Sequence, residues 1–90
     1  MYRLTRHAGY DLVRDVAVSI TRGRDFDLDE YQQAGEIGNV GNQKAMIHEY
    51  LQTWDAFTQE RGNLPADEQE DYEDDMVEEI YDAVDDLMRE

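Results

Sequence analysis

The 90-residue chain contains no cysteine, one proline and no apolar run longer than three residues. Without cysteine it can form no disulfide, no thiolate zinc site and no cysteine nucleophile. A membrane-spanning helix needs about 20 consecutive apolar residues, so no segment of this sequence is expected to cross a bilayer. The amino-terminal residues 1–7 lack the apolar stretch of a signal peptide. We therefore expect one soluble, cytoplasmic domain over residues 1–90.

Basic residues are scarce as well. Eight Lys and Arg stand against 23 Asp and Glu, which gives a formal net charge of −15 at pH 7. A protein that binds nucleic acid directly needs a basic surface, so this balance argues against direct binding. The acids are unevenly distributed, because residues 63–90 hold 13 of them and a single basic residue, Arg89. Adaptation to high salt would spread acids over the whole chain, so the last segment stands out.

Hydrophobic periodicity predicts an all-α fold, a small compact bundle with three main helices and one short helix. The predicted helices cover residues 10–22, 28–34, 43–60 and 66–88. Residues 1–9 and 36–42 are expected to be irregular. For residues 10–22 a strand is an alternative, because Val16, Val18 and Ile20 alternate and are β-branched. Helical spacing also brings Val13 and Ala17 onto the apolar face, and this favours the helix.

The short helix has the clearest end signals. Asp27 can cap its first amides, with Glu30 completing a capping box, and Phe26 and Tyr31 have the spacing of a hydrophobic staple. Gly35 is expected to end it. The other expected end signals are Gly23, Asn42, Gly62 and Pro65.

The last predicted helix combines an apolar stripe with an acidic face. The stripe consists of Tyr72, Met76, Val77, Ile80, Tyr81, Val84, Leu87 and Met88. Asp71, Asp75, Glu78, Asp82 and Asp85 follow at intervals of three or four residues, about 4.5–6 Å apart along a helix axis. Phosphates along a DNA strand repeat on a similar scale. We predict a partner-binding surface made of Asp67, Glu68, Asp71, Asp74, Asp75, Glu78, Glu79, Asp82, Asp85 and Asp86.

A solvated outer face is the simpler interpretation of these acids, but such faces usually mix both signs of charge. Like charges at i,i+4 cost about 0.2–0.5 kcal/mol each, and this helix has many of them. Pairing with the chain's own arginines is another alternative. Arg14, Arg22 and Arg24, together with Arg3 and Arg6, lie in the least acidic third of the sequence. They could bridge to the acidic helix, within one chain or across a dimer, or form a phosphate-binding patch.

Other candidate sites are weaker. Measured from Asp25, the calcium-ligand positions of an EF-hand would be Asp25, Asp27, Asp29, Tyr31, Gln33 and Glu36, but Glu30 occupies the position that needs glycine. We therefore expect no metal and no other cofactor. His7 and His48 have no ligand spacing, and Ser19 lacks the context of a nucleophile. The sequence does not predict an enzyme.

In size, acidity and helical pattern the chain resembles the DNA-mimic proteins of phages and plasmids, which block restriction, CRISPR or repair nucleases. That resemblance implies an acidic inhibitor, of anti-restriction or anti-CRISPR type, acting on a basic nucleic-acid-binding protein in the host cytoplasm. Tyr72, Tyr81 or Trp54 could anchor such a partner. The alternative hypothesis is a non-enzymatic regulatory or structural interaction module, which could be a homodimer.

Overall fold

The computed structural model describes residues 8–89, so Arg3, Arg6 and His7 lie outside the described residues. Five helices follow one another: α1 (Ala8–Thr21), α2 (Leu28–Glu36), α3 (Val40–Leu51), α4 (Asp55–Gly62) and α5 (Ala66–Arg89). Residues 8–89 contain no strand, which confirms the all-α class and a helix rather than a strand in the segment predicted over residues 10–22. This helix begins at Ala8, so the expectation that residues 1–9 are irregular was wrong at Ala8 and Gly9. Within this range, no helix has both the length and the hydropathy that a bilayer crossing requires.

The core forms where α1, α3 and α4 pack against α5, with α2 held by α3. Val16, Ile20, Ile47, Phe57 and Ile80 are completely buried within it. Each such apolar side chain stabilises the fold by about 1.5–3 kcal/mol. The predicted stripe of α5 faces this core: its members are buried or half-buried except Met88, which is 38% exposed. The acidic segment is thus a structured helix with one apolar side.

Glycine ends α1 as predicted. Gly23 has a φ of +65°, and its N–H donates to the carbonyl of Ile20 at 2.9 Å. The N–H of Arg24 donates to the carbonyl of Ser19 at 3.1 Å. These two bonds form a Schellman motif, which satisfies carbonyls that the helix end leaves free.

The predicted cap and staple at the start of α2 are confirmed, but within residues 8–89 the Glu30 side chain forms no hydrogen bond that would complete the capping box. Asp27 Oδ1 accepts a hydrogen bond from the N–H of Glu30 at 3.1 Å. The rings of Phe26 and Tyr31 meet edge to face, with centroids 5.5 Å apart, as a hydrophobic staple requires.

The prediction that Gly35 ends this helix was wrong. The helix continues to Glu36, and the glycine with a positive φ beyond its end is Gly38, at +76°. Gly35 instead leaves room for the side chain of Gln43, because a Cβ at Gly35 would lie 2.6 Å from Gln43 Nε2. That nitrogen donates to the carbonyl of Tyr31 at 2.9 Å, and this buried bond joins α2 to α3.

The predicted helix over residues 43–60 is two helices. Asn39, rather than Asn42, caps the first of them, because its Oδ1 accepts from the N–H of Asn42 at 3.1 Å. The irregular stretch predicted over 36–42 is accordingly shorter. The break follows Leu51, and Trp54, with φ −94° and ψ 114°, is extended.

Candidate functional site

The ten predicted partner-binding acids all belong to α5 and share one side of it. At about 100° per residue they fall in a sector of about 140°, opposite the buried stripe. From the first to the last of them the helix rises about 28 Å. We call this set the acidic face: Asp67, Glu68, Asp71, Asp74, Asp75, Glu78, Glu79, Asp82, Asp85 and Asp86.

The acidic face is open to solvent. Eight of its residues are exposed, and Glu68 and Asp75 are half-buried. Glu78 pairs with Lys44 at 2.9 Å, and Asp85 pairs with Arg89 at 3.1 Å. Among residues 8–89 the other eight acids of the face form no ion pair.

The remaining charge is dense. Eight unpaired carboxylates over the length of the face give one charge per roughly 3.5 Å, and one strand of DNA carries one charge per about 3.4 Å of axis. A basic groove would therefore meet a similar charge per unit length on this helix. The pairs at Glu78 and Asp85 reduce the charge in the middle and at the carboxyl end of the face, whereas Asp67, Glu68, Asp71, Asp74 and Asp75 form no ion pair within residues 8–89.

Lys44 on α3 is the cation closest to the middle of the acidic face. Its Nζ donates to Glu78 Oε1 and lies 5.2 Å from the centre of the Tyr81 ring. The hydrogen bond that Lys44 donates to Glu78 raises the pKa of Lys44, although this ammonium remains open to water. No local pattern in the sequence predicts this contact, because 34 positions separate the two residues.

Glu73, which is not among the predicted partner-binding acids, is a half-buried acid of α5 that joins this helix to α3 and α4. Its Oε1 accepts from Arg61 at 2.9 Å and from Gln52 at 3.2 Å, and His48 Nε2 lies 3.6 Å away. Its side chain is 20% exposed. Its position beside the apolar stripe of α5 is the sequence signal for this role.

The three predicted anchors have different environments. Tyr72 is completely buried, stacks on Phe57 with ring centres 5.3 Å apart, and donates to Glu60 Oε2 at 2.9 Å. It contributes to the core, so its prediction as a partner anchor was wrong. Tyr81 is half-buried at the edge of the acidic face, and half-buried Trp54 lies at the corner between α3 and α4.

The described arginines of the first third do not bridge to α5. Arg14, Arg22 and Arg24 are exposed and, with Trp54 and Val18, line a cleft of about 550 Å³. We call it the arginine cleft. Arg14, Val18 and Arg22 follow at intervals of four on the outer side of α1, and the Schellman turn adds Arg24. The sequence placed these arginines in one region, but only the turn shows that they converge.

The segment considered for calcium has a different geometry. In an EF-hand the ligands at positions 1, 3 and 5 lie in a loop that turns sharply at a glycine in position 6, whereas residues 28–36 here are already helical. Asp27 uses its carboxylate to cap α2, and Asp25 has a φ of 55° in the preceding turn. The described part of the chain contains no group of three or more His, Cys, Asp or Glu residues placed to hold a metal ion.

Comparisons with protein-family models, curated proteins and solved structures give no match to this chain.

Proposed function

We propose that this protein binds the nucleic-acid-binding surface of a larger basic protein and blocks it by presenting the acidic face in place of phosphates. The role is binding rather than catalysis. Anti-restriction or anti-CRISPR inhibition, in a host cytoplasm reached by a phage or plasmid gene, is the biological setting that we propose. The proposal rests on the charge and exposure of the acidic face, since a helical fold alone does not imply a function.

The observation that supports it is a long, exposed, largely unneutralised row of one charge sign on a rigid helix. The chain forms ion pairs elsewhere, as between Arg61 and Glu73, yet eight acids of the face have no basic partner within residues 8–89. Repulsion between neighbouring acids opposes helix formation. Such a surface destabilises its own helix, so a partner that binds these carboxylates explains their presence better than solvation does.

The mechanism is electrostatic competition. Lys and Arg that line the partner's groove would pair with the carboxylates of α5, and attraction at a distance would accelerate encounter. Added salt would weaken binding, because the Debye length falls from about 10 Å at 0.1 M to about 3 Å at 1 M. Tyr81, at the edge of the face, can add apolar contact area next to Lys44.

The test is an affinity capture from a lysate of the host cells at low salt. The α5 variant, which is expected to lose binding, carries Asp71→Lys, Asp75→Lys and Asp82→Lys. None of these three acids forms an ion pair within residues 8–89. The matched control applies the same charge change away from α5: Asp29→Lys with Glu36→Lys and Glu49→Lys, all exposed.

We expect wild type and control to retain basic nucleic-acid-binding proteins that a salt step elutes, and the α5 variant to lose them while its helicity persists. Equal retention by the α5 variant would refute the proposal.

A second candidate function is a regulatory or structural interaction module that can form a homodimer. The exposed apolar residues near the α2–α3 turn favour it: Ile37 is 79% exposed, and Val40 and Met88 line one shallow pocket of about 200 Å³. Light scattering over a salt titration separates the two functions. A dimer that is insensitive to salt, with no affinity for basic proteins, would support the second.

A further inference from the structure

The arginine cleft is lined by basic residues that form no ion pair with the other described residues. Within residues 8–89 there are six Lys and Arg, of which Lys44, Arg61 and Arg89 pair with carboxylates. The other three form no ion pair within that range, and all three line this one cleft. In a chain with so many acids, unpaired guanidinium groups that converge on one cavity indicate a site for an anion.

The local charge of the cleft is positive although the molecule is acidic. Among the residues that the structure describes, Asp15 is the only acid in its lining, beside Arg14, Arg22 and Arg24. The arginines lie on the side of α1 opposite its buried residues, so α1 separates them from α5. With helix axes about 8–10 Å apart, this places the acidic face roughly 20 Å away, which exceeds two Debye lengths at physiological salt.

The cleft also has a planar aromatic wall. Trp54 is half-buried and meets the Tyr50 ring edge to face, with centroids 6.0 Å apart. Val18 adds an apolar surface to the same cavity. Guanidinium groups bind phosphate through paired hydrogen bonds, and an indole face stacks on a nucleobase. A ligand with an anionic group and a flat ring would use both parts.

Hydrogen bonds hold the cleft in shape. Tyr50 Oη donates to the carbonyl of Arg24 at 2.7 Å, so the 2.8 Å bond between Ser19 Oγ and Tyr50 Oη has the serine as donor. This chain of bonds joins α1, the turn that carries Arg24, and α3. In the same turn Gly23 and Asp25 both have positive φ, a backbone conformation that costs free energy for aspartate.

We propose that the arginine cleft binds a mononucleotide, with its phosphate on the three arginines and its base against Trp54. The cavity lies in the volume range of small-molecule sites. An acidic helix from a second copy fits less well, because two chains of net charge −15 repel each other and the acidic face is convex. This site is independent of the acidic face and of the function proposed for it.

The test uses the fluorescence of Trp54, the only tryptophan of the chain, so the signal reports on the cleft. The probes are AMP, adenosine and inorganic phosphate at 0.15 M salt. We expect AMP to give a saturable change with a Kd below about 1 mM, and to bind at least about tenfold more tightly than phosphate or adenosine. No saturable change with AMP, or equal binding of AMP and phosphate, would overturn the proposal.

Variants measured by calorimetry locate the site. Arg22→Gln and Arg24→Gln should each weaken AMP binding by about tenfold, because each removes a charge-assisted hydrogen bond to phosphate. Arg89→Gln removes the same charge on α5 and should leave binding unchanged. Trp54→Leu should lower AMP affinity to that of phosphate. Equal loss in Arg89→Gln, or tighter binding of an oligoglutamate peptide than of AMP, would contradict a nucleotide site.

Discussion

Removing one charge from the acidic face should stabilise the protein. Asp71 is exposed and has four acidic neighbours at helical spacings of three and four residues: Asp67, Glu68, Asp74 and Asp75. Each such pair costs about 0.2–0.5 kcal/mol, so Asp71→Asn should raise the free energy of unfolding by about 1–2 kcal/mol at low salt. Asn and Asp have similar helix propensities, and the change is therefore one of charge alone.

Thermal melting followed by circular dichroism measures this effect. A gain of 1 kcal/mol shifts the midpoint of a domain of this size by about 4–8 °C. At 1 M salt the Debye length is about 3 Å, so most of the gain should disappear. Glu49→Gln is the control, because Glu49 is exposed on α3 and has no acid three or four residues away. Unchanged stability of Asp71→Asn at low salt, or an equal gain at high salt, would refute the reasoning.

Three further predictions concern the fold. Gly35→Ala should lower the free energy of unfolding by about 1 kcal/mol, because losing the hydrogen bond from Gln43 outweighs the better helix propensity of alanine. In a Gln43→Ala background the same substitution should raise the free energy of unfolding, and chemical denaturation of wild type, the two single variants and the double variant measures both changes. Burial raises the pKa of Tyr31, so its contribution to the free energy of unfolding should be fully present below about pH 10 and should be lost as the pH rises further. In melting curves recorded at alkaline pH, Tyr31→Phe should reduce this loss of stability. Glu73→Ala should lower stability by about 1–2 kcal/mol in the same melting assay, because Arg61 loses its partner in a half-buried site, whereas exposed Glu79→Ala should not.

Local signals in the sequence were sufficient for much of the architecture. The α5 stripe, the cap at Asp27 and the glycine at Gly23 depend on residues at most five positions apart, and the structure agrees with each of them. The orientation of the acidic face followed directly from the stripe, because acids that alternate with buried positions must face outward.

The predicted helix ends were wrong where contacts between residues far apart in the sequence determine the structure. The apolar spacing of residues 43–60 suits one long helix, but the break after Leu51 lets Phe57 stack on Tyr72 and lets Arg61 reach Gln52 at 2.7 Å. In a straight helix, residues nine apart would be separated by about 13 Å. Gly35 was interpreted as a helix end, since nothing nearby in the sequence shows that Gln43 packs on it.

For the candidate site too, some features could be predicted from local sequence and others could not. Its composition and spacing could be predicted, but the neutralisation of Glu78 by Lys44 and the structural role of Glu73 required coordinates. The arginine cleft also depends on a turn geometry that brings Arg24 beside Arg14 and Arg22. Predicting it would have required the relative placement of α1 and the α3–α4 corner.

The central claim is that the acidic face replaces nucleic acid on a basic partner. The most direct measurement is competition: the captured partner is bound to labelled duplex DNA or RNA, and this protein is titrated in while the free label is followed. The account predicts complete displacement by wild type, weakening as salt rises, and none by the α5 lysine variant. A ternary complex in which the labelled nucleic acid stays bound would contradict it.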